Sequence, residues 1–128
     1  MHFGLLLILL LSSCSANALE HEVTLNRYAQ IVEEGGELTE VLTHSALAQA
    51  QASRQLMEEL GYTQRGRAQF EIWSFSKDLA SGCLDLTEIA VVDDQGSFLS
   101  LGQRRSSFTA TFTRESLISE FEVGQEGC

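Results

Sequence analysis

Near its C-terminal end the chain reads Phe108-Thr109-Ala110-Thr111-Phe112-Thr113, a strict alternation of apolar and hydroxyl-bearing residues. A backbone of period two places Phe108, Ala110 and Phe112 on one side and the three threonines on the other. One side is core and the other is wet. The segment is therefore a half-buried strand, which needs another layer of structure to cover its dry side.

The segments before it supply that layer. From Leu19 to Glu34, Leu25, Tyr28 and Val32 recur at helical spacing, while Val23, Leu25, Ala29 and Ile31 also fit an alternating strand; the helix is preferred. Gly35-Gly36 breaks the chain. Glu37 to Leu60 reads as one long helix. At about 100° per residue, Leu38, Val41, Leu42, Leu56 and Leu60 share one face, and Glu40, His44, Leu47, Gln51, Arg54 and Glu58 lie opposite. Ser45, Ala48, Gln49 and Ala52 fill the middle of the apolar face, where another backbone can come close. Gly61 is placed to end this helix in a left-handed cap.

Strand patterns follow. Ala68 to Phe75 alternates and then turns apolar on both faces, Lys77 to Gly82 reads as a loop, and Leu84 to Val92 is a second strand. Asp93-Asp94-Gln95-Gly96 makes a turn, with Ser97 to Leu101 returning as its hairpin partner. The tail from Arg114 to Val123 fits either a short helix, through Leu117, Ile118 and Phe121, or a fifth strand, through Leu117, Phe121 and Val123. Helices first and strands after define an α+β fold: an N-terminal helix or helices packed on an antiparallel meander sheet of four to five strands.

At the other end of the sequence, Phe3 to Leu11 is an apolar run stopped by Ser12-Ser13-Cys14-Ser15-Ala16-Asn17-Ala18. It is shorter than the roughly 20 residues a spanning helix needs and matches the core of an export signal. Residues 1–18 are thus assigned to a signal and residues 19–128 to one domain of about 110 residues, enough for a real core. Leu11-Ser12-Ser13-Cys14 resembles the lipobox of bacterial lipoprotein signals. The resemblance implies cleavage before Cys14, lipidation of its thiol and anchoring to a membrane. Ala16-Asn17-Ala18 offers the other route, cleavage before Leu19 and free secretion.

Two cysteines remain beyond the signal, Cys83 and Cys128, and in an oxidising compartment they are expected to pair. Closing a loop of about 46 residues stabilises a fold by about 4 kcal/mol on the chain-entropy model. Eighteen acids against eight bases give a net charge of −10. Nucleic acid and anionic lipid are poor partners for such a chain, since both demand basic clusters; Arg65 with Arg67 and Arg104-Arg105 read as solvated positions.

Motifs for chemistry are sparse. No nucleophile elbow, zinc-protease, phosphate-loop or C-x-x-C pattern occurs, so no catalytic residue, metal site or cofactor is assigned. His44 one turn after Glu40 is the nearest approach to an acid–base pair. His21, between Glu20 and Glu22, falls in a tether near the mature N-terminus, and nothing in the spacing brings it to His44. Asp93-Asp94 and Glu33-Glu34 read as solvated turns. Trp73 and Phe75 share a strand face with Gln69 and Glu71; left uncovered, they are the candidate binding surface for a sugar, peptide or protein. The expectation is a non-enzymatic envelope protein that binds another macromolecule, with a secreted inhibitor or effector docking on a basic protein, or a small periplasmic enzyme, as alternatives.

Overall fold

A computed structural model describes the backbone from His2 to Cys128 and the side chains from Ala18 onward. Cys14, Ser12-Ser13 and Ala16-Asn17, on which both cleavage routes turn, lie outside the residues whose side chains are described. The chain runs α1 (His2–Glu34), a 3₁₀ turn (Leu38–Glu40), α2 (His44–Leu60), β1 (Thr63–Arg65), β2 (Gln69–Phe75), β3 (Leu79–Asp85), β4 (Ala90–Val92), β5 (Arg105–Phe112) and β6 (Ile118–Gly127). The fold is α+β. Two helices pack on a four-stranded antiparallel sheet of order β2-β3-β5-β6, and β1 pairs with β4 in a separate two-stranded ladder. The four-stranded sheet is a meander interrupted once, where the chain leaves β3 to build β4 before returning as β5.

The register fixes the two faces. Ser106, Phe108, Ala110 and Phe112 of β5 are buried, and their partners Leu84, Gly82 and Ala80 on β3 are buried with them. On β2, Phe70 opposes Leu84 and Ile72 opposes Gly82. These residues, with Phe121 and Ile118 of β6, form the inner face, on which α1 lays Leu25 and Ile31. Phe70 meets Phe108 edge-on at 5.2 Å and Phe121 stacks on Phe108 at 5.8 Å. The alternation in β5 is thus the spine of the core, and apolar burial on this side drives the layers together.

His21 is a core residue, not part of a tether. It is 3 % exposed and its ring stacks on Phe112 at 3.9 Å. One ring nitrogen, Nε2, lies 3.0 Å from the Lys77 carbonyl, and Nδ1 lies 3.3 Å from the Ser116 hydroxyl. Burial of so polar a ring is tolerated because both nitrogens have partners. α1 is therefore stitched to the β2–β3 and β5–β6 turns as far forward as His21.

The long helix expected over Glu37 to Leu60 is interrupted. Residues 41–43 pair with the start of β6: Ile118 N–H donates to the Val41 carbonyl at 2.8 Å and Thr43 N–H donates to the Ile118 carbonyl at 2.9 Å. Those bonds replace helical ones, and α2 restarts at His44, whose φ is +51°. The restart resets the helical phase. Ala46 is buried, with Leu47 and Ala50 packed against the core, whereas Leu56 and Leu60 are 55 % and 49 % exposed. Leu47, expected on the wet face, faces inward. Gly61 does end α2 in the left-handed region, at φ +71°.

Three strand assignments change as well. Leu79 to Gly82, expected as a loop, is the first half of β3; the second expected strand stops at Asp85, and only Ala90–Val92 continues it, paired to β1. The hairpin of Ser97 to Leu101 shrinks to one bridge between Val92 and Phe98. Its turn is held by Asp93, whose carboxylate accepts the N–H of Gln95 and of Ser97 at 2.9 Å each. The tail is a strand, β6, from Ile118 onward.

Candidate functional site

Among the described residues no helix covers the other face of the sheet. Across the ladder its rows run Gln69, Asp85, Arg105; then Glu71, Cys83, Ser107; then Ser74, Ser81, Thr109, Glu122; then Leu79, Thr111, Glu120. Hydroxyls occupy the centre, carboxylates the β6 side, and an ion-paired cluster one end. In that cluster Arg105 donates to Asp85 at 2.9 Å, to Glu71 at 3.1 Å and, through Nε, to the Cys128 carbonyl at 2.9 Å. The Asp85 carboxyl is held below its usual range, first by the side chain of Thr87, then by the Thr87 N–H, with Arg105 adding to both.

The same end is closed covalently. Cys83 and Cys128 form a disulfide with their Cα atoms 5.8 Å apart, so the last residues lie over β3 and leave Cys83 fully buried. The chain end is pinned by this bond and by Arg105 together.

Trp73 stands out of this polar surface, 60 % exposed. Its indole N–H donates to the Glu71 carboxylate at 3.2 Å, which places it on the open face. Phe75 does not join it there. The register shifts between Ile72 and Ser74, so Trp73 and Ser74 together oppose the space of one residue on β3, and Phe75 pairs with inner-face Ala80. Such a bulge turns every later side chain of the strand to the other face. Phe75 accordingly lies 6.4 Å from the His21 ring, on the other face from Trp73, and is still 38 % exposed. The expected aromatic pair is split, and Leu79, 39 % exposed on the row beyond Trp73, is the apolar residue that shares its face.

Gly82 is the sequence signal for this bulge. A Cβ there would overlap the Glu71 carbonyl, so the close approach of β2 and β3 beside the bulge requires glycine. Elsewhere, Glu40 is bonded to Arg27 at 2.9 Å and His44 is exposed at the start of α2, so the two are not brought together. Among the described residues no cluster of three or more His, Cys, Asp or Glu is arranged to hold a metal, and no helix is long and apolar enough to cross a membrane.

The chain matches no protein-family model, no curated protein and no solved structure.

Proposed function

We propose that this protein is exported and non-catalytic, anchored by a lipid on Cys14, and that it binds a basic segment of a partner protein on the open face of its sheet. The exposure of Trp73 carries the reading. A tryptophan offers a large apolar area with a polar edge, and such residues are enriched where proteins meet partners. Glu71 lies beside it, and Glu120 and Glu122 line the far side of the same face on β6, so a basic segment laid across the strands meets an aromatic ring at one end and carboxylates at the other. The net charge of −10 speeds encounter with a cationic partner. Export is supported by the apolar run at Phe3 to Leu11, the lipobox-like Leu11-Ser12-Ser13-Cys14 and the Cys83–Cys128 disulfide.

Two measurements test it. Intact mass of the protein recovered from an exporting host is expected to give a lipidated chain starting at Cys14. A start at Leu19 replaces the anchor by secretion, and an intact Met1 with free Cys83 and Cys128 removes export altogether. Trp73 is the only tryptophan, so its emission reports the face directly. Titration with poly-lysine is expected to protect it from iodide quenching, with the protection lost in Glu120→Gln/Glu122→Gln. Unchanged quenching on addition of poly-lysine defeats the proposal.

A further inference from the structure

On the opposite side of the sheet, a cleft of about 500 Å³ opens where α1, α2 and β1 meet, walled by Tyr28, Val32, Leu38, Met57 and Tyr62. An inner chamber of about 160 Å³ adjoins it, lined by Phe70, Leu84, Leu86, Ile89 and Phe121. Tyr28, Val32 and Gln64 border both spaces. Room is left because the walls carry Ala29, Ala50 and Ala68 where larger side chains would fill it. Arg54 spans from α2 to the end of α1, donating to the Gly36 carbonyl at 2.8 Å and the Ile31 carbonyl at 3.4 Å. That strut ties the two helices together beside the opening.

The lining specifies the occupant. A closed cavity of about 150 Å³ lined by Leu, Ile and Phe accepts one benzene ring; the inner chamber is of similar size and mostly apolar, and open on one side, with Ala68, Phe70, Leu86 and Phe121 half-buried. The outer chamber has largely apolar walls and an acidic mouth, where Glu33, Glu34 and Glu58 stand against Arg54. Burial raises the Tyr28 hydroxyl above its ordinary range, and nearby Arg54 offsets this only in part, so the group is a neutral donor at physiological pH. Among the described residues that hydroxyl bonds no protein group and is open to water in the cleft. The Arg54 guanidinium is committed to the carbonyls that end α1, where its charge also suits the helix terminus. Glu33 is bonded by Arg67 at 2.6 Å, and Glu34 lies 3.7 Å from the same guanidinium. Glu58 is exposed and forms no ion pair among the described residues. A cation is therefore favoured at the mouth and an anion opposed.

We propose that this cleft binds a small aromatic amine, its ring in the inner chamber against Phe70 and Phe121 and its ammonium in the outer chamber beside Glu58. The arrangement matches a general form of ligand site, an apolar pocket with a few convergent polar groups. It uses the opposite side of the sheet from Trp73 and stands or falls separately from the binding of a basic partner there.

The test is an amide NMR titration of the whole protein with phenethylamine, compared with hydrocinnamate, of like shape and opposite charge, and with butylamine, a cation without a ring. Phenethylamine is expected to shift the amides of Tyr28, Gln64 and Phe70 and to bind at least about tenfold more tightly than either comparator. Glu58→Gln is expected to shrink the preference for amine over carboxylate by at least about threefold with the ring site intact. Ala68→Leu, which fills the inner chamber, is expected to abolish the shifts while the spectrum stays dispersed; if it unfolds the protein, the Glu58→Gln comparison decides alone. Equal affinities for the three compounds, tighter binding of hydrocinnamate, or shifts scattered over the acidic surface overturn the proposal.

Discussion

Along β5, Phe108, Ala110 and Phe112 are buried under the helices, while Ser107, Thr109 and Thr111 between them remain half-exposed with no layer above. One strand thus serves two solvents. The inner residues answer to packing density, where each methylene counts. The outer ones answer only to water and to the preference of strands for β-branched side chains. Folding places few demands on the open face, so a residue there that folding does not want is informative. Trp73 is such a residue, and the bulge turns Phe75 toward the helix-covered face while leaving Trp73 outside, although Phe75, 38 % exposed, stops short of the core.

The sharpest test of that division is the pair Phe108→Ala and Thr109→Ala. Phe108 packs against both Phe70 and Phe121, and its truncation is expected to cost about 3–5 kcal/mol through lost burial and the cavity left behind. Thr109→Ala, one residue along, is expected to cost no more than about 1 kcal/mol, the span of strand propensity. Urea unfolding of the three proteins measures both, and similar losses would end the distinction between the faces. Next in size comes the one covalent tie on the open side. Replacing Cys83 and Cys128 by serine is expected to lower stability by about 2–4 kcal/mol, read as a drop in urea midpoint that reductant reproduces in the parent protein and not in the variant.

Local pattern made the inner face legible and left the open face half-read. The alternation at Phe108 to Phe112, the break at Gly35-Gly36 and the cap at Gly61 are short-range features, and each stands where the pattern puts it. The errors share a cause, contacts between distant residues. The helix wheel over Glu37 to Leu60 fails because Val41 to Thr43 bond to Ile118, some 75 residues away. His21 is drawn into the core by Lys77 and Ser116, neither of which a local window includes. At Gly82, glycine marks a loop and a strand beside a bulge alike; only the pairing of β2 with β3 separates them. The inner cleft left no trace in the sequence, because alanines at positions 29, 50 and 68 line a space only once α1, α2 and the sheet are assembled.

A smaller effect is expected from pH. Asp85 is held below its ordinary range by Thr87 and Arg105 when folded, so the unfolded chain binds its proton more readily. Its contribution to stability is present above the unfolded value, near 3.9, and is lost as pH falls through the lower folded value. Asp85→Asn is therefore expected to lower stability at neutral pH and to shallow the decline as pH falls below about 4. Urea midpoints over that fall in pH check the sign; an unchanged acid limb would mean that neither Thr87 nor Arg105 holds the folded carboxylate.

The smallest expected change in stability belongs to Trp73. Its ring is mostly in water already and its one hydrogen bond reaches an exposed carboxylate, so Trp73→Ala forfeits little burial and is expected to fall within about 0.5 kcal/mol of the parent. The same substitution is expected to weaken binding of a basic partner by at least about tenfold, the range of a truncated aromatic at an interface centre. Followed by heteronuclear NMR, poly-lysine is then expected to lose its shifts at Ser81 and Thr109 in the variant. A loss of more than about 1 kcal/mol in folding would instead make Trp73 part of the core's support, and the open face would have no residue that folding leaves unexplained.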